Sequence, residues 1–168
     1  MVVAGLSAGA SMAALLACQH AARFVAVAMH SGVPPGRARS TLGALSAMRG
    51  GGDPAAPPGA PAGPWPPLLV IHGDADRVVS VANGRAAAQL WAVAAGAQAR
   101  NPRVLQRGQR RALQITDFYA GRRLCVQCVE VVGLGHAWSG GDGRLPFGDA
   151  RGPDANGLLW AFAKRFWT

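Results

Sequence analysis

The sequence predicts an α/β fold with a mostly parallel sheet, formed by a single domain over residues 1–168. Short apolar runs, typical of buried strands, alternate along the chain with alanine-rich segments that favour helices. Hydrophobic residues make up 50% of the chain and charged residues 15%, which is a globular rather than a disordered composition. A chain of 168 residues is also long enough to bury a core.

The first half of the chain predicts two strands, two helices and a long loop. Met1–Ala4 and Arg23–Met29 are apolar runs that indicate strands, whereas Ala10–Gln19 and Thr41–Met48 favour helices. Residues 49–67 contain seven prolines and five glycines, and such a stretch cannot form regular structure. We therefore expect a surface loop there, with a cap over the functional site as its candidate role.

The second half predicts a buried strand, a long helix, a hairpin and a closing amphipathic helix. These elements correspond to Leu68–His72, Val81–Ala95, the pair Arg110–Phe118 and Leu124–Val132, and Ala155–Trp167. Gly96 follows the long helix directly and suits a helix C-cap. The resulting order of elements is typical of a layered α/β domain.

The net charge of +9 raises the question of a nucleic-acid partner. The basic residues are scattered arginines, with local groups at residues 100–111 and at Arg122 and Arg123, and Lys164 is the single lysine. Aromatic residues that would stack on bases are not interleaved with them. We therefore expect solvated arginines and no nucleic-acid partner. No apolar run is long enough to cross a bilayer, so no membrane partner is expected either.

The three cysteines do not predict a metal site. Cys18 falls in the first predicted helix, and Cys125 and Cys128 form a C-x-x-C pattern within a predicted strand. In a regular strand, positions i and i+3 face opposite sides, and the sequence offers no second pair of zinc ligands. We expect these cysteines to be small apolar core residues, and we expect no metal or other cofactor.

A candidate nucleophile lies near the start of the chain. Gly5-Leu6-Ser7-Ala8-Gly9 matches the G-x-S-x-G pattern of a nucleophile elbow between a strand and a helix. Glycines at positions 5 and 9 are expected to remove Cβ atoms that would clash across the turn. The free N–H groups of the following helix would face the negative charge that develops during acyl transfer.

A serine nucleophile requires a base, and the base requires an orienting acid. In α/β-hydrolases these residues follow in the order serine, acid, histidine. The strand Leu68–His72 leads into two candidate acids, Asp74 and Asp76, and the last strand leads into His136 within a glycine-rich loop. His20 and His30 fit the order and position less well, and His72 is expected to brace the acid loop.

Several segments together resemble a known family. GLSAGASMAALLACQH, HSGVP, VIHGDADRVV, VVGLGHAWSGG and RGPDANGLLWAFAKRF occur in that order. They resemble the poly(3-hydroxybutyrate) depolymerase family of esterases, which are α/β-hydrolases related to feruloyl and acetylxylan esterases. The resemblance covers nearly the whole chain apart from the Pro/Gly-rich loop. It implies a three-layer sandwich and the hydrolysis of carboxylic esters, with a poly(3-hydroxyalkanoate) or its oligomers as the expected substrate.

The resemblance also assigns roles to individual residues. It implies Ser7 as the nucleophile, His136 as the base and Asp76 as the acid, since the family acid is the second aspartate of HGDAD. The backbone N–H of Ala8 would be an oxyanion donor. Trp138 is a candidate substrate contact, with packing against the histidine loop as the alternative, and Trp65 is a second candidate for lining an acyl pocket.

The family fold has further strands, and a second oxyanion donor, ahead of the nucleophile strand. Because Met1–Ala4 is the first strand of this sequence, we expect a sheet that lacks those N-terminal strands. The functional alternatives are then a catalytically incomplete fragment of such an esterase or a feruloyl- or acetylxylan-type esterase. The resemblance further suggests an extracellular or periplasmic location, although this sequence shows no signal peptide.

Overall fold

The computed structural model describes residues 1–37, 41–57, 60 and 64–167, and it confirms the α/β class. The main sheet contains β1 (Val2–Leu6), β2 (Ala26–His30), β3 (Leu68–Gly73), β4 (Gln98–Ala99), β5 (Arg103–Leu105), β6 (Leu113–Ala120) and β7 (Arg123–Val131). A second sheet pairs β8 (Trp138–Ser139) with β9 (Gly148–Asp149). The helices are α1 (Ala8–Gln19), α2 (Thr41–Met48), α3 (Val81–Ala95) and α4 (Ala155–Ala163), and a 3₁₀ turn spans Ala21–Arg23.

The main sheet is parallel at its centre. Its order is β1-β2-β3-β7-β6-β4, with β5 also paired to β6, and β1 lies at one edge. Strands β1, β2, β3 and β7 are mutually parallel, whereas β6 is antiparallel to β7, and β4 and β5 are antiparallel to β6. The carboxyl ends of the four parallel strands therefore meet at one edge of the sheet, where ligand sites of α/β folds are built.

Helices cover both faces of the sheet and so complete the expected three layers. Small residues of α1, such as Ala14 and Ala17, and Trp91 of α3 pack on one face in a common core with Val27 of β2. Phe162 of α4 packs on the other face, in a second core with Val129 of β7. The small side chains of α1 allow this helix to approach the strand that precedes it closely.

Most predicted elements are present, and their ends shift by a few residues. α2 and α3 have the predicted bounds, and α3 is capped by the Ser80 side chain, which accepts a hydrogen bond from Ala82 N–H, and by Gly96 in the left-handed conformation. The closing helix ends at Ala163 rather than at Trp167. The short strands β4, β5, β8 and β9 were not predicted. Among the described helices, none is both long and apolar enough to cross a membrane.

The C-x-x-C segment departs from the predicted alternation. A β-bulge between β6 and β7 pairs Phe118 with Val126 but Tyr119 with Leu124, which leaves Cys125 as an extra residue. Cys125 and Cys128 consequently both pack in the core beside α1 and α3, not on opposite sides of the sheet. Both thiols are free and buried, and so is Cys18.

The described part of the Pro/Gly-rich segment, residues 49–57, 60 and 64–67, contains no helix or strand. Residues 58, 59 and 61–63 of the predicted loop lie outside the described residues. Trp65 is buried, and its ring lies edge-on to Trp91 with 4.7 Å between centroids. This tryptophan is therefore a core residue. The expectation that it lines an acyl pocket is wrong.

Candidate active site

Ser7 occupies a strained turn between β1 and α1. Its φ of 56° and ψ of −121° lie in a region that residues with a side chain rarely adopt. Two backbone hydrogen bonds hold it there: Ser7 N–H donates to the His30 carbonyl (2.9 Å), and Ser11 N–H donates to the Ser7 carbonyl (3.1 Å). A strained serine between a strand and a helix is the conformation expected of a nucleophile elbow.

The two glycines of the elbow have different roles. A Cβ on Gly5 would overlap the backbone carbonyl of Gly9, so position 5 must be glycine for the strand and helix to meet this closely. A Cβ on Gly9 would meet no atom within 4 Å. The expectation that both glycines prevent a clash is therefore right for Gly5 and wrong for Gly9.

Asp76 lies in the turn after β3, and its side chain is fully buried. One carboxylate oxygen accepts hydrogen bonds from the backbone N–H groups of Val78 (2.9 Å) and Val79 (2.8 Å). The other oxygen accepts from Nδ1 of His136 at 2.8 Å. Burial alone would raise the pKa of Asp76, but the hydrogen bonds from His136, Val79 and Val78 outweigh it and hold this pKa below its ordinary value of 3.8.

His136 joins Asp76 to Ser7. Its Nδ1 faces the Asp76 carboxylate, and its Nε2 lies 3.0 Å from Ser7 Oγ. With the proton on Nδ1, Nε2 accepts a hydrogen bond from the Ser7 hydroxyl. The His136 side chain is 9% exposed, so most of it is shielded from solvent. This geometry allows a proton to pass from Ser7 Oγ to His136 while the buried carboxylate stabilises the resulting imidazolium.

Asp74, the second candidate acid, is directed elsewhere. Its carboxylate accepts a hydrogen bond from Gly133 N–H at 2.6 Å and thereby joins the acid loop to the loop that carries His136. The structure thus brings Asp76, and not Asp74, to the imidazole. Of the other histidines, His20 caps the far end of α1, and His72 donates to the Val79 carbonyl and so braces the acid loop as predicted.

A cavity of about 470 Å³ opens beside Ser7. Met12 and Leu15 of α1 form one wall, residues 33–36 form another, and Ala44 and Met48 of α2 lie across it. None of the described residues that line it carries a charge. The cavity therefore suits an uncharged, largely apolar group attached to the atom that Ser7 attacks. Its cover comes from α2 rather than from the described part of the Pro/Gly-rich loop.

Ala8 is the first residue of α1, and none of the described residues accepts a hydrogen bond from its backbone N–H. That N–H is available to an oxyanion at the helix N-terminus. Trp138 does not line the cavity beside Ser7. Its ring stacks instead on His30, at the end of β2, with 5.0 Å between centroids.

Phe147 is a neighbour of the site that the sequence did not indicate. Its ring lies edge-on to His136 at 6.1 Å between centroids and is largely exposed, and its φ of 60° is unusual for an aromatic residue. It reaches this position because β9 pairs with β8. Strands of two residues are too short to show an alternation of apolar residues, so the sequence did not predict them. No cluster of metal-ligating side chains occurs among the described residues.

Comparisons with known proteins agree with this fold. A family model described as "Esterase PHB depolymerase" matches residues 1–112, which include Ser7 and Asp76. Among solved structures, an acetyl xylan esterase from Aspergillus awamori is similar, with a TM-score of 0.65 and 21% identity over 80% of this chain and 53% of that chain. The present chain thus spans about half the length of that esterase chain. No curated protein matches the chain. Since the family model covers 112 of 168 residues, the chain belongs to the esterase family of the PHB depolymerases.

Proposed function

We propose that this protein is a serine esterase that hydrolyses carboxylic esters through an acyl-enzyme on Ser7. The observation that carries the proposal is the continuous pair of contacts from Ser7 Oγ to His136 Nε2 (3.0 Å) and from His136 Nδ1 to Asp76 (2.8 Å). Membership of an esterase family supports the same reaction class. The three residues come from the ends of three parallel strands, which is the arrangement of hydrolase triads.

The first half of the reaction acylates the serine. His136 accepts the Ser7 hydroxyl proton as Oγ attacks the ester carbonyl, and the carbonyl oxygen becomes a tetrahedral oxyanion. The backbone N–H of Ala8 donates to that oxyanion, and one such donor contributes about 3–4 kcal/mol to transition-state stabilisation. The C–O bond to the alcohol then breaks, and His136 returns the proton to the departing alkoxide oxygen.

The second half releases the acid. A water molecule gives a proton to His136 and attacks the acyl carbonyl, and the second tetrahedral intermediate collapses with return of that proton to Ser7 Oγ. Throughout both halves the Asp76 carboxylate holds the imidazole with Nε2 directed at Ser7. The low pKa of Asp76 keeps this carboxylate ionised at neutral pH, so it stabilises each imidazolium intermediate.

For the substrate, we propose a poly(3-hydroxyalkanoate) or its oligomers. The uncharged cavity of about 470 Å³ beside Ser7 accommodates an apolar acyl or alcohol unit larger than acetyl. An acetylated or feruloylated polysaccharide is the second candidate, because the similar solved structure is an acetyl xylan esterase. We further propose an extracellular or periplasmic location, which membership of this esterase family supports.

The test of this function is intact-mass labelling of the purified chain with a fluorophosphonate, with Ser7→Ala as the control. We expect one adduct per chain, absent from the variant. Soluble, folded protein that takes up no adduct would overturn the proposal for this chain and favour a catalytically incomplete fragment.

A second assay separates the two substrate classes. Initial rates on 3-hydroxybutyrate oligomers and on acetylated xylo-oligosaccharides are compared at equal enzyme concentration. We expect faster hydrolysis of the hydroxybutyrate oligomers. Faster release of acetate would instead favour the polysaccharide substrate and leave the esterase assignment intact.

A further inference from the structure

Two buried histidines lie behind the Ser7–His136–Asp76 contacts, and the reaction described above does not use them. His30 ends β2 and is 2% exposed, and His72 lies in β3 and is 0% exposed. Each contacts a different loop of the site. His72 contacts the loop that carries Asp76, and His30 contacts the segment that follows His136.

His72 fixes the acid loop through Val79. Its Nε2–H donates to the Val79 carbonyl at 2.9 Å. The backbone N–H of Val79 in turn donates to the Asp76 carboxylate at 2.8 Å. The other Asp76 oxygen, which accepts from His136, lies 3.6 Å from His72 Nε2. A displacement of Val79 would therefore move the carboxylate that orients the base.

The surroundings of His72 permit one tautomer only. A carbonyl oxygen can only accept, so the proton must be on Nε2. The buried Nδ1 has no hydrogen-bond partner among the described residues, and it faces Gly84 of α3 so closely that a Cβ there would lie 2.8 Å away. Burial lowers the pKa of His72, although the Val79 carbonyl and the charges of Asp76 and Glu130 oppose this. The ring is thus a neutral donor.

His30 holds the segment that follows His136. Here the imidazole accepts the backbone hydrogen bond, whereas that of His72 donates it. The backbone N–H of Ser139 donates to His30 Nε2 at 3.1 Å, so the proton of this ring is on Nδ1, which donates to Ser31 Oγ at 3.2 Å. Its ring stacks on Trp138, and its carbonyl accepts the hydrogen bond from Ser7 N–H. Burial, followed by the charges of His72 and His136, lowers the pKa of His30 to about 3.

We propose that His30 and His72 are positioning residues of this site, two neutral imidazoles of opposite tautomer that hold the His136 loop and the Asp76 loop in register with Ser7. This inference rests on the esterase function proposed above. Neither ring touches the reacting atoms. Each acts through one backbone hydrogen bond, His30 by accepting from Ser139 and His72 by donating to Val79.

Glutamine and methionine substitutions separate this role from simple packing. Glutamine reaches about as far as Nε2 of histidine, and its amide both accepts and donates, so it can replace either ring. Methionine fills a similar volume but supplies no hydrogen bond of comparable strength. If the two histidines only fill space, His30→Met and His72→Met should be tolerated at least as well as His30→Gln and His72→Gln.

The kinetic test compares kcat and KM of these four variants on a p-nitrophenyl ester, at a temperature at which circular dichroism shows each to be folded. We expect the methionine variants to lose about 10- to 100-fold in kcat with KM nearly unchanged, because a small misplacement of a catalytic group costs this much. The glutamine variants should stay within about threefold of the parent. Equal kcat for the methionine and glutamine variants would overturn the proposal. If His72→Met does not fold, His72→Asn takes its place, since its shorter amide cannot reach Val79.

A second measurement needs no substrate. The Nδ1 proton of His136, hydrogen-bonded to a buried carboxylate, gives a downfield proton NMR resonance. We expect this resonance in the parent and the glutamine variants, and its broadening or loss in the methionine variants. Its retention in all variants would overturn the positioning role. A parent chain that shows the resonance but takes up no fluorophosphonate would count against the esterase function alone.

Discussion

The backbone N–H of Gly133 donates a hydrogen bond of 2.6 Å to the carboxylate of Asp74, across 59 positions of the chain. Two residues after Asp74, Asp76 accepts from the His136 imidazole in the same pair of loops. One turn at the end of β3 thus supplies a carboxylate that joins the two loops and a carboxylate that contacts the base. Only the second has a charge that the proposed reaction requires.

Asparagine at each aspartate should separate these two contributions. Asp76→Asn is expected to lower kcat about 10⁴-fold, because an amide neither stabilises the imidazolium nor favours the required tautomer. Asp74→Asn keeps an oxygen that accepts from Gly133 and should change kcat less than about threefold. Steady-state kinetics on one ester checks both. Similar losses in the two variants would contradict the assignment of Asp76 as the acid.

Alanine at the two elbow glycines should affect stability very differently. Gly5→Ala forces a Cβ into the backbone of Gly9 and is expected to lower the free energy of unfolding by about 3 kcal/mol or more. Gly9→Ala adds a Cβ in open space within α1 and should leave stability unchanged or raise it by up to about 1 kcal/mol. Urea unfolding monitored by circular dichroism gives both values. A loss at Gly9 as large as that at Gly5 would refute this account of the elbow.

Acid should destabilise the protein partly through His30. Its pKa is about 3 in the folded state and 6.5 ordinarily, so the unfolded chain binds a proton that the folded chain excludes. The stability that depends on neutral His30 is complete above pH 6.5 and is lost as the pH falls towards 3, by about 1.4 kcal/mol per pH unit within this window.

His30→Gln cannot titrate, so its free energy of unfolding should fall less steeply than that of the parent between pH 6.5 and pH 4. The measurement is urea unfolding at pH 7, 5.5 and 4. His20→Gln, at the exposed end of α1, is the matched control and should follow the parent. Parallel pH profiles for the parent and His30→Gln would show that His30 is not excluded from protonation in the folded state.

The cysteines should be unreactive in the native protein. Burial raises the pKa of Cys18 and of Cys128 to about 12, with the charge of Glu130 adding to the effect at Cys128, and Cys125 is buried beside them. Since the thiolate is the reactive form, a disulfide reagent at pH 8 should modify no cysteine until urea unfolds the chain, and then all three. Rapid modification of any thiol before unfolding would contradict the core packing of the C-x-x-C segment.

The elements that the sequence predicted well carry local signals. Helix α3 begins after the N-cap Ser80 and ends before the C-cap Gly96. Both ends could be predicted because a capping serine and a left-handed glycine interact only with backbone groups a few residues away. Ser7 was indicated by the G-x-S-x-G pattern, and the two aspartates and His136 by their loops after apolar strands. The structure places His136 within hydrogen-bond distance of Ser7 and Asp76, while the catalytic roles of these residues stay a prediction. Asp74 and Asp76 could be separated only through the family resemblance, because both follow the same strand.

The elements that were missed depend on contacts distant in sequence. Strand β5 is exposed along its whole length, so no pattern of burial marks it. The bulge at Cys125 results from the register between β6 and β7, which the sequence of β7 alone does not specify. The closing helix ends at Ala163 without a glycine or proline to mark that end. Phe147 reaches His136 only after β8 and β9 have paired.

The contact between Ser7 and His136 spans 129 positions of a 168-residue chain. A contact of such high sequence separation has a higher loop-closure cost than local turns and hairpins, so we expect it to form after them. Reactivity of Ser7 is therefore a reporter of completed folding, which secondary-structure signals from the helices are not. In a refolding experiment, the capacity for fluorophosphonate capture should appear in the last kinetic phase, after the helical circular dichroism signal has recovered.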